Sequence, residues 1–258
     1  MKNSMAKRRI IIPARYHSTR LPGKVLLHIA GKPMVQHVYE RACQAEFDSV
    51  VIATDHQQVK QVAEGFGATV CMTREDHPTG TDRAAEVAQK LGYAADDVMV
   101  GLQADEPLIP IENLQQVADN LATHSSASVA TLCERITELD VMMNPNVVKV
   151  VRDHDNMALY FSRAPMPWSR EHFPEHFPEG FPGLLHIGLY AYRGDFLLHY
   201  VELAKTALEA WEGLEQLRVL WHGYGIHVDL AKAPTPPGVD TQAGLDAVRQ
   251  RLEAISEN

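Results

Sequence analysis

Ile10-Ile11-Ile12 is an apolar run of strand length that ends at Pro13 and opens into Ala14-Arg15-Tyr16-His17-Ser18-Thr19-Arg20-Leu21-Pro22-Gly23-Lys24. A buried strand feeding a short cationic loop suits an open α/β sheet, whose ligands sit at the carboxyl ends of strands. Arg15, Arg20 and Lys24, helped by Ser18, Thr19 and backbone N–H groups near Gly23, can wrap a polyphosphate. A solvated basic loop is the plain alternative. The Walker-type spacing Gly-x-x-x-x-Gly-Lys-Ser/Thr is absent.

The pattern after this loop repeats the strand-helix unit. Lys32-Pro33 opens a helix that carries Met34, Val35, Val38, Ala42 and Ala45 near helical spacing. Strands are expected at 49–53, 68–72 and 98–102, with helices at 56–66, 81–91 and 110–122 between and after them. Four such alternations predict a mostly parallel sheet with helices on both faces. The second half is less regular: strands at 128–132, 147–151, 158–161, 187–192 and 226–230, and helices at 214–221 and 241–254. Three Phe-Pro steps at 173–182 read as a long loop. With neither linker nor repeat, the expectation is one α/β domain over 1–258, with an antiparallel excursion at 137–195.

Charge and cysteines narrow the function. The 258 residues carry a net charge of −9, which argues against general nucleic-acid binding. An anionic substrate must therefore meet a local cluster of cations or a metal. Cys43, Cys71 and Cys133 are far apart and without C-x-x-C spacing, as in a reducing cytoplasm. The basic start before Ile10 precedes too short an apolar run for a signal peptide or membrane span. A cytoplasmic, soluble protein is expected.

Two acidic positions stand where a metal could meet phosphate. Gln103-Ala104-Asp105-Glu106-Pro107 follows the fourth strand, and magnesium prefers one or two carboxylates plus phosphate oxygens and water; turn chemistry accounts for Asp105 as well. Asp240, in Pro236-Pro237-Gly238-Val239-Asp240-Thr241, reads first as the cap of the last helix. Asp76-His77-Pro78-Thr79-Gly80-Thr81-Asp82-Arg83 reads as a helix start with Thr or Asp as cap.

The string 10–24 closely resembles the signature loop of the 3-deoxy-manno-octulosonate cytidylyltransferases, the CMP-Kdo synthetases. The resemblance extends along the chain. Residues 103–107 stand for Q-G-D-E-P with Ala104 in place of the glycine, and 77–83 for H-x-S-G-T-D/E-R with Thr79 in place of serine. Phe161-Ser162-Arg163-Ala164-Pro165-Met166-Pro167-Trp168 matches F-S-R-A-x-x-P-W. His186-Ile187-Gly188-Leu189-Tyr190-Ala191-Tyr192-Arg193 matches H-x-G-x-Y-x-Y-R, and Leu214-Glu215-Gln216-Leu217-Arg218 matches L-E-Q-L-R.

The resemblance implies a Rossmann-like nucleotide-binding sheet of the nucleotide-diphospho-sugar transferase type. It implies transfer of CMP from CTP to 3-deoxy-D-manno-octulosonate (Kdo) with release of pyrophosphate, for lipopolysaccharide synthesis. Arg15, Lys24 and Asp105 would act in catalysis. Arg15, Ser18, Arg20, Lys24, Arg74, Thr79, Gly80 and Gln103 would bind CTP. Arg163, His186, Tyr190, Glu215 and Gln216 would bind the sugar acid, Arg163 through a bidentate grip on its carboxylate. Asp105 and Asp240 would hold Mg2+. No nucleic acid or membrane is implied, and a homodimer would form through 137–195. The alternatives are a cytidylyltransferase for another sugar acid (8-amino-Kdo or sialic acid), a metal-dependent glycosyltransferase, although Asp-x-Asp is absent, or a nucleotide-binding regulator.

Overall fold

The computed structural model describes residues 6–18 and 21–256, the last four by backbone alone; Thr19 and Arg20 lie outside the described residues. The strands are β1 (Arg8–Pro13), β2 (His28–Ile29), β3 (Lys32–Pro33), β4 (Ser49–Thr54), β5 (Thr69–Met72), β6 (Val98–Gly101), β7 (Ala127–Arg135), β8 (Lys149–Arg152), β9 (Ala158–Ser162), β10 (Leu184–Arg193) and β11 (Gly225–Leu230). The helices are α1 (Met34–Gln44), α2 (Gln57–Gly65), α3 (Gly80–Lys90), α4 (Ile111–Thr123), α5 (Leu139–Met143), α6 (Gly194–Tyr200), α7 (Ala207–Glu212), α8 (Gln216–Trp221) and α9 (Gln242–Ser256). A 3-10 turn, Lys24–Leu26, follows the first loop.

Consecutive side chains of β1 enter opposite faces of the sheet, and both faces are covered. Ile10 and Ile12 pack with Val35 and Val38 of α1 and Leu114 and Val117 of α4. Ile11 packs on the other side with Ala84 and Val87 of α3 and Phe196 of α6. All three isoleucines are buried. An uninterrupted apolar run is what such a two-faced strand requires.

The main sheet runs β11-β7-β10-β6-β1-β4-β5. Along this path β1, β4, β5 and β6 pair parallel, as does β7 with β11. β10 is antiparallel to both of its neighbours, β6 and β7. The fold is therefore the expected α/β sheet, mostly parallel, with its antiparallel element in the second half.

β8 pairs with β10 and β9, outside the main path. The Phe-Pro stretch expected to be a long loop folds around its own small core: Phe173 is buried with Ile136 and Met142, and Phe177 and Phe181 pack against them. Three short helices were not anticipated (α5, α6 and α7), because five to seven residues carry too little periodicity to read. Pro33 does not belong to α1 but precedes it in extended conformation, as part of the β2–β3 hairpin.

Candidate active site

The carboxyl ends of β1 and β6 bring the first loop against the 103–107 segment. Gly23 closes the loop by donating its N–H to the Tyr16 carbonyl at 3.1 Å. Its φ of +66° is left-handed, a conformation that glycine adopts without a Cβ penalty, and it turns Lys24 into the 3-10 turn. Lys24 Nζ then donates to Asp105 Oδ2 at 2.5 Å and to Asp240 Oδ1 at 2.9 Å.

Asp240 reaches Asp105 from 135 positions downstream by backbone pairing: Val239 donates its N–H to the Asp105 carbonyl at 2.8 Å. The cap of α9 is Thr241, whose Oγ1 accepts from Gly244 N at 3.1 Å. Asp240 precedes the cap, so the helix-cap reading gives way and its carboxylate faces the lysine. Burial draws the Lys24 pKa down, but Asp105 and Asp240 outweigh it and the ammonium is held more firmly charged than usual.

The opposite wall is the start of α3. Thr79 caps it through a reciprocal box with Asp82. Gly80 follows, where a Cβ would stand 3.4 Å from Pro13 Cγ. Arg15 crosses between the walls and donates to the His77 carbonyl at 2.7 Å. His77 is itself bonded to Glu86, a carboxylate that burial would raise but that Lys90, the Arg74 N–H and His77 together hold down at about 2.

Between these walls lies a cavity of about 430 Å³, lined by Arg15, Ser18 and Lys24 on one side and Thr79, Gly80 and Gln103 on the other. Asp105, Asp240 and Ala104 line it as well. Arg74 is not part of it: its guanidinium is exposed and lies 3.4 Å from Asp76. Arg83 of the same segment is a strut, fully buried and paired with Asp55 at 2.6 Å.

A second cavity of about 540 Å³ adjoins the first, and Thr79 lines both. Tyr190, Glu215, Gln216 and Lys205 also line it. Tyr190 is positioned by a bulge in β10: the register with β7 slips between Ile187 and Tyr190. Thr131 Oγ1 stands 2.9 Å and 2.7 Å from the Ile187 and Leu189 carbonyls inside that bulge. The H-x-G-x-Y pattern is thus a bulge, which re-aims side chains next to a site.

Glu215 accepts from Thr81 Oγ1 at 3.0 Å, while its second oxygen is buried without a hydrogen-bond partner among the described residues. Burial raises its pKa, with the Thr81 and Thr79 hydroxyls opposing.

Two residues expected at the sugar stand behind this wall. His186 Nε2 lies 3.0 Å from Thr131 Oγ1, and burial pushes its pKa down to about 3, so the ring is neutral. Arg163 donates from Nε to the Glu212 carbonyl at 2.7 Å and from Nη1 to the Pro145 carbonyl at 3.1 Å. Lys205 and the buried Lys149 went unnoticed in the sequence. Neither lies in a distinctive string, and only the fold brings them to this region.

Comparison with known proteins agrees with the geometry. The sequence profile of the cytidylyltransferase family matches residues 9–229. A 3-deoxy-manno-octulosonate cytidylyltransferase of Francisella philomiragia is 53% identical over 244 residues, 95% of this chain and 98% of that protein. Another, of Coxiella burnetii, is 51% identical over 243 residues, covering 93% and 98%. The solved structure of a CMP:2-keto-3-deoxy-manno-octonic acid synthetase complexed with CTP superposes with a TM-score of 0.88 at 42% identity, covering 97% of this chain and all of that one. A charged cleft at the strand ends, an adjoining pocket and near-full-length identity above one half converge on one conclusion: the chain belongs to the 3-deoxy-manno-octulosonate cytidylyltransferase family.

Proposed function

We propose that the protein transfers CMP from CTP to Kdo, releasing pyrophosphate, as a step of lipopolysaccharide synthesis. One observation carries the reading: Lys24 is gripped by Asp105 and Asp240 at the end of a cavity that meets a second one at Thr79. CTP takes the first cavity, its triphosphate on Arg15, Ser18, Arg20 and Lys24 and its base toward Thr79, Gly80 and Gln103. Kdo takes the second, its hydroxyls on Tyr190, Glu215 and Gln216.

Asp105 and Asp240 suit Mg2+. Their oxygens already converge on a single cation, the Lys24 ammonium, and among the described residues no third acid, His or Cys joins them to form a complete cage. Phosphate oxygens and water supply the remainder of such a shell. When bound there, the metal supplies neutralisation of phosphate charge.

The 2-hydroxyl of the sugar attacks the α-phosphorus in line, the new phosphorus–oxygen bond forms as the bond to pyrophosphate breaks, and the hydroxyl proton passes to solvent. Arg15 and Lys24 are preorganised cations where negative charge accumulates. In phosphoryl chemistry such positioning and electrostatics carry most of the rate.

The whole chain is read as one cytoplasmic unit that pairs as a homodimer through 137–195, where Leu159 and Trp168 leave large apolar side chains exposed. Among the described residues no helix is long and apolar enough to cross a membrane. Incubation of the wild-type protein with CTP, Mg2+ and either Kdo, 8-amino-Kdo or N-acetylneuraminate tests the reading. Pyrophosphate should appear fastest with Kdo. A preference for another acid overturns the named sugar, and no release with any acid overturns the transferase.

A further inference from the structure

Lys149 is a fully buried cation whose ammonium meets no acid among the described residues. Its Nζ donates to three backbone carbonyls, those of Asn144 at 2.9 Å, Val147 at 2.7 Å and Arg163 at 2.7 Å. Three donors meet three acceptors, so hydrogen bonding is complete, yet the charge remains out of water. Removing an ion from water is costly even after relaxation, and an apolar side chain of similar size would avoid that cost. A group so placed has a task that an apolar residue would not perform.

The bonds lead from Lys149 to the second cavity. The carbonyl it holds belongs to Arg163, whose own groups converge on the end of α7. Arg163 N donates to Glu212 Oε2 at 2.9 Å, and Arg163 Nε donates to the Glu212 carbonyl at 2.7 Å. Ser162 Oγ donates to the other Glu212 oxygen at 2.6 Å. Glu212 thus has its carboxylate and its carbonyl fixed by two successive residues of one strand end. The next residue, Gly213, turns the chain with a φ of +62°, and Gly213, Leu214, Glu215 and Gln216 then form a wall of the cavity.

We infer that Lys149 is a positioning residue for the sugar acid: acting through Arg163 and Glu212, it sets where Glu215 and Gln216 stand. Arg163 is the clamp of this relay, spanning from the β8–β9 excursion to the 212–216 turn. The chain of contacts does not pass through the first cavity, so its loss should be felt by one substrate. The inference rests on the proposed function, because it takes the second cavity as the sugar site.

Lys149→Met keeps length and loses the ammonium. Steady-state kinetics with CTP and Kdo varied in turn should give a KM for Kdo raised about tenfold or more, as expected for displacement of polar contacts by a fraction of an ångström, while the KM for CTP stays within about twofold. Should Lys149→Met fail to fold, Glu212→Gln reads the same relay from its other end with the same expected split. An unchanged KM for Kdo, or equal rises for both substrates, overturns the inference and leaves the transferase standing. Wild-type protein that releases no pyrophosphate with any sugar acid overturns both.

Discussion

In the cleft at the ends of β1 and β6 the charged groups pair with one another at the edge of a cavity, whereas around the adjoining pocket they are held by backbone and packed side chains. Lys24, Asp105 and Asp240 form a cluster whose outer acid keeps 43% of its side chain accessible. Such groups are ready for an incoming charged ligand. Around the pocket, Arg163, Lys149 and Arg218 are already committed, to carbonyls or to Glu209. The same residue types therefore sit differently: in one region they border an open cavity, and in the other they are tied into the wall behind one.

Loss of a committed charge should be the largest effect. Arg218 and Glu209 form a bidentate pair with only 3% and 10% of their side chains accessible. Glu209→Gln should lower the unfolding free energy by about 3–5 kcal/mol, since it strands a buried guanidinium. Denaturant titration checks this, and a loss below about 1 kcal/mol would make the pair a surface ornament. Lys24→Ala should do the reverse, with the denaturation midpoint nearly unmoved while turnover at saturating CTP falls by about 10²–10³. Near-normal turnover would remove Lys24 from the phosphates and erase the contrast between the regions.

The start of α9 offers a sharper division between two adjacent residues. Thr241→Ala removes the cap and should cost about 1 kcal/mol of stability with Mg2+-dependent activity retained. Asp240→Asn should abolish that activity with little change in melting temperature. Paired melting curves and pyrophosphate assays decide, and exchange of the two outcomes would restore Asp240 as the cap.

A smaller effect concerns acid. His227 stacks on His124 with centroids 3.8 Å apart, and neither of its ring nitrogens has a hydrogen-bond partner among the described residues. Burial, aided by His124, pushes its pKa down to about 4. Between there and the ordinary value near 6.5, the unfolded chain binds the proton that the folded one refuses. Its contribution to stability is therefore whole above pH 6.5 and is lost as pH falls toward 4. His227→Phe should make melting temperature less steep in pH across that window, and an unchanged slope would show that the ring does not titrate on unfolding.

The two regions also differ in how far they could be read before folding. The cleft is built from contiguous strings: among the described residues, parts of 13–18, Lys24, 78–80 and 103–105 line it together, so the local strings that carry the family resemblance also mark the site. Asp240 was ambiguous, because an aspartate before a helix looks like a cap until Thr241 is seen to take the bond. In the pocket the deciding partners are remote. Arg163 looks like a carboxylate receptor until Glu212, 49 positions on, claims its backbone N–H and its Nε. His186 looks like a ligand until Thr131 and the β10 bulge enclose it. Periodicity records which face of a strand is apolar, but not which distant carbonyl a cation will find.

The division of labour at Thr79 is tested most directly by Gln216→Ala, with initial rates of pyrophosphate release measured against CTP and against Kdo in turn. Gln216 lines the second cavity and not the first. Loss of its hydrogen bonds should raise the KM for Kdo about tenfold while that for CTP stays within about twofold of wild type. A KM for Kdo that does not move, or one for CTP that rises in step with it, would contradict the assignment of the two cavities to the two substrates.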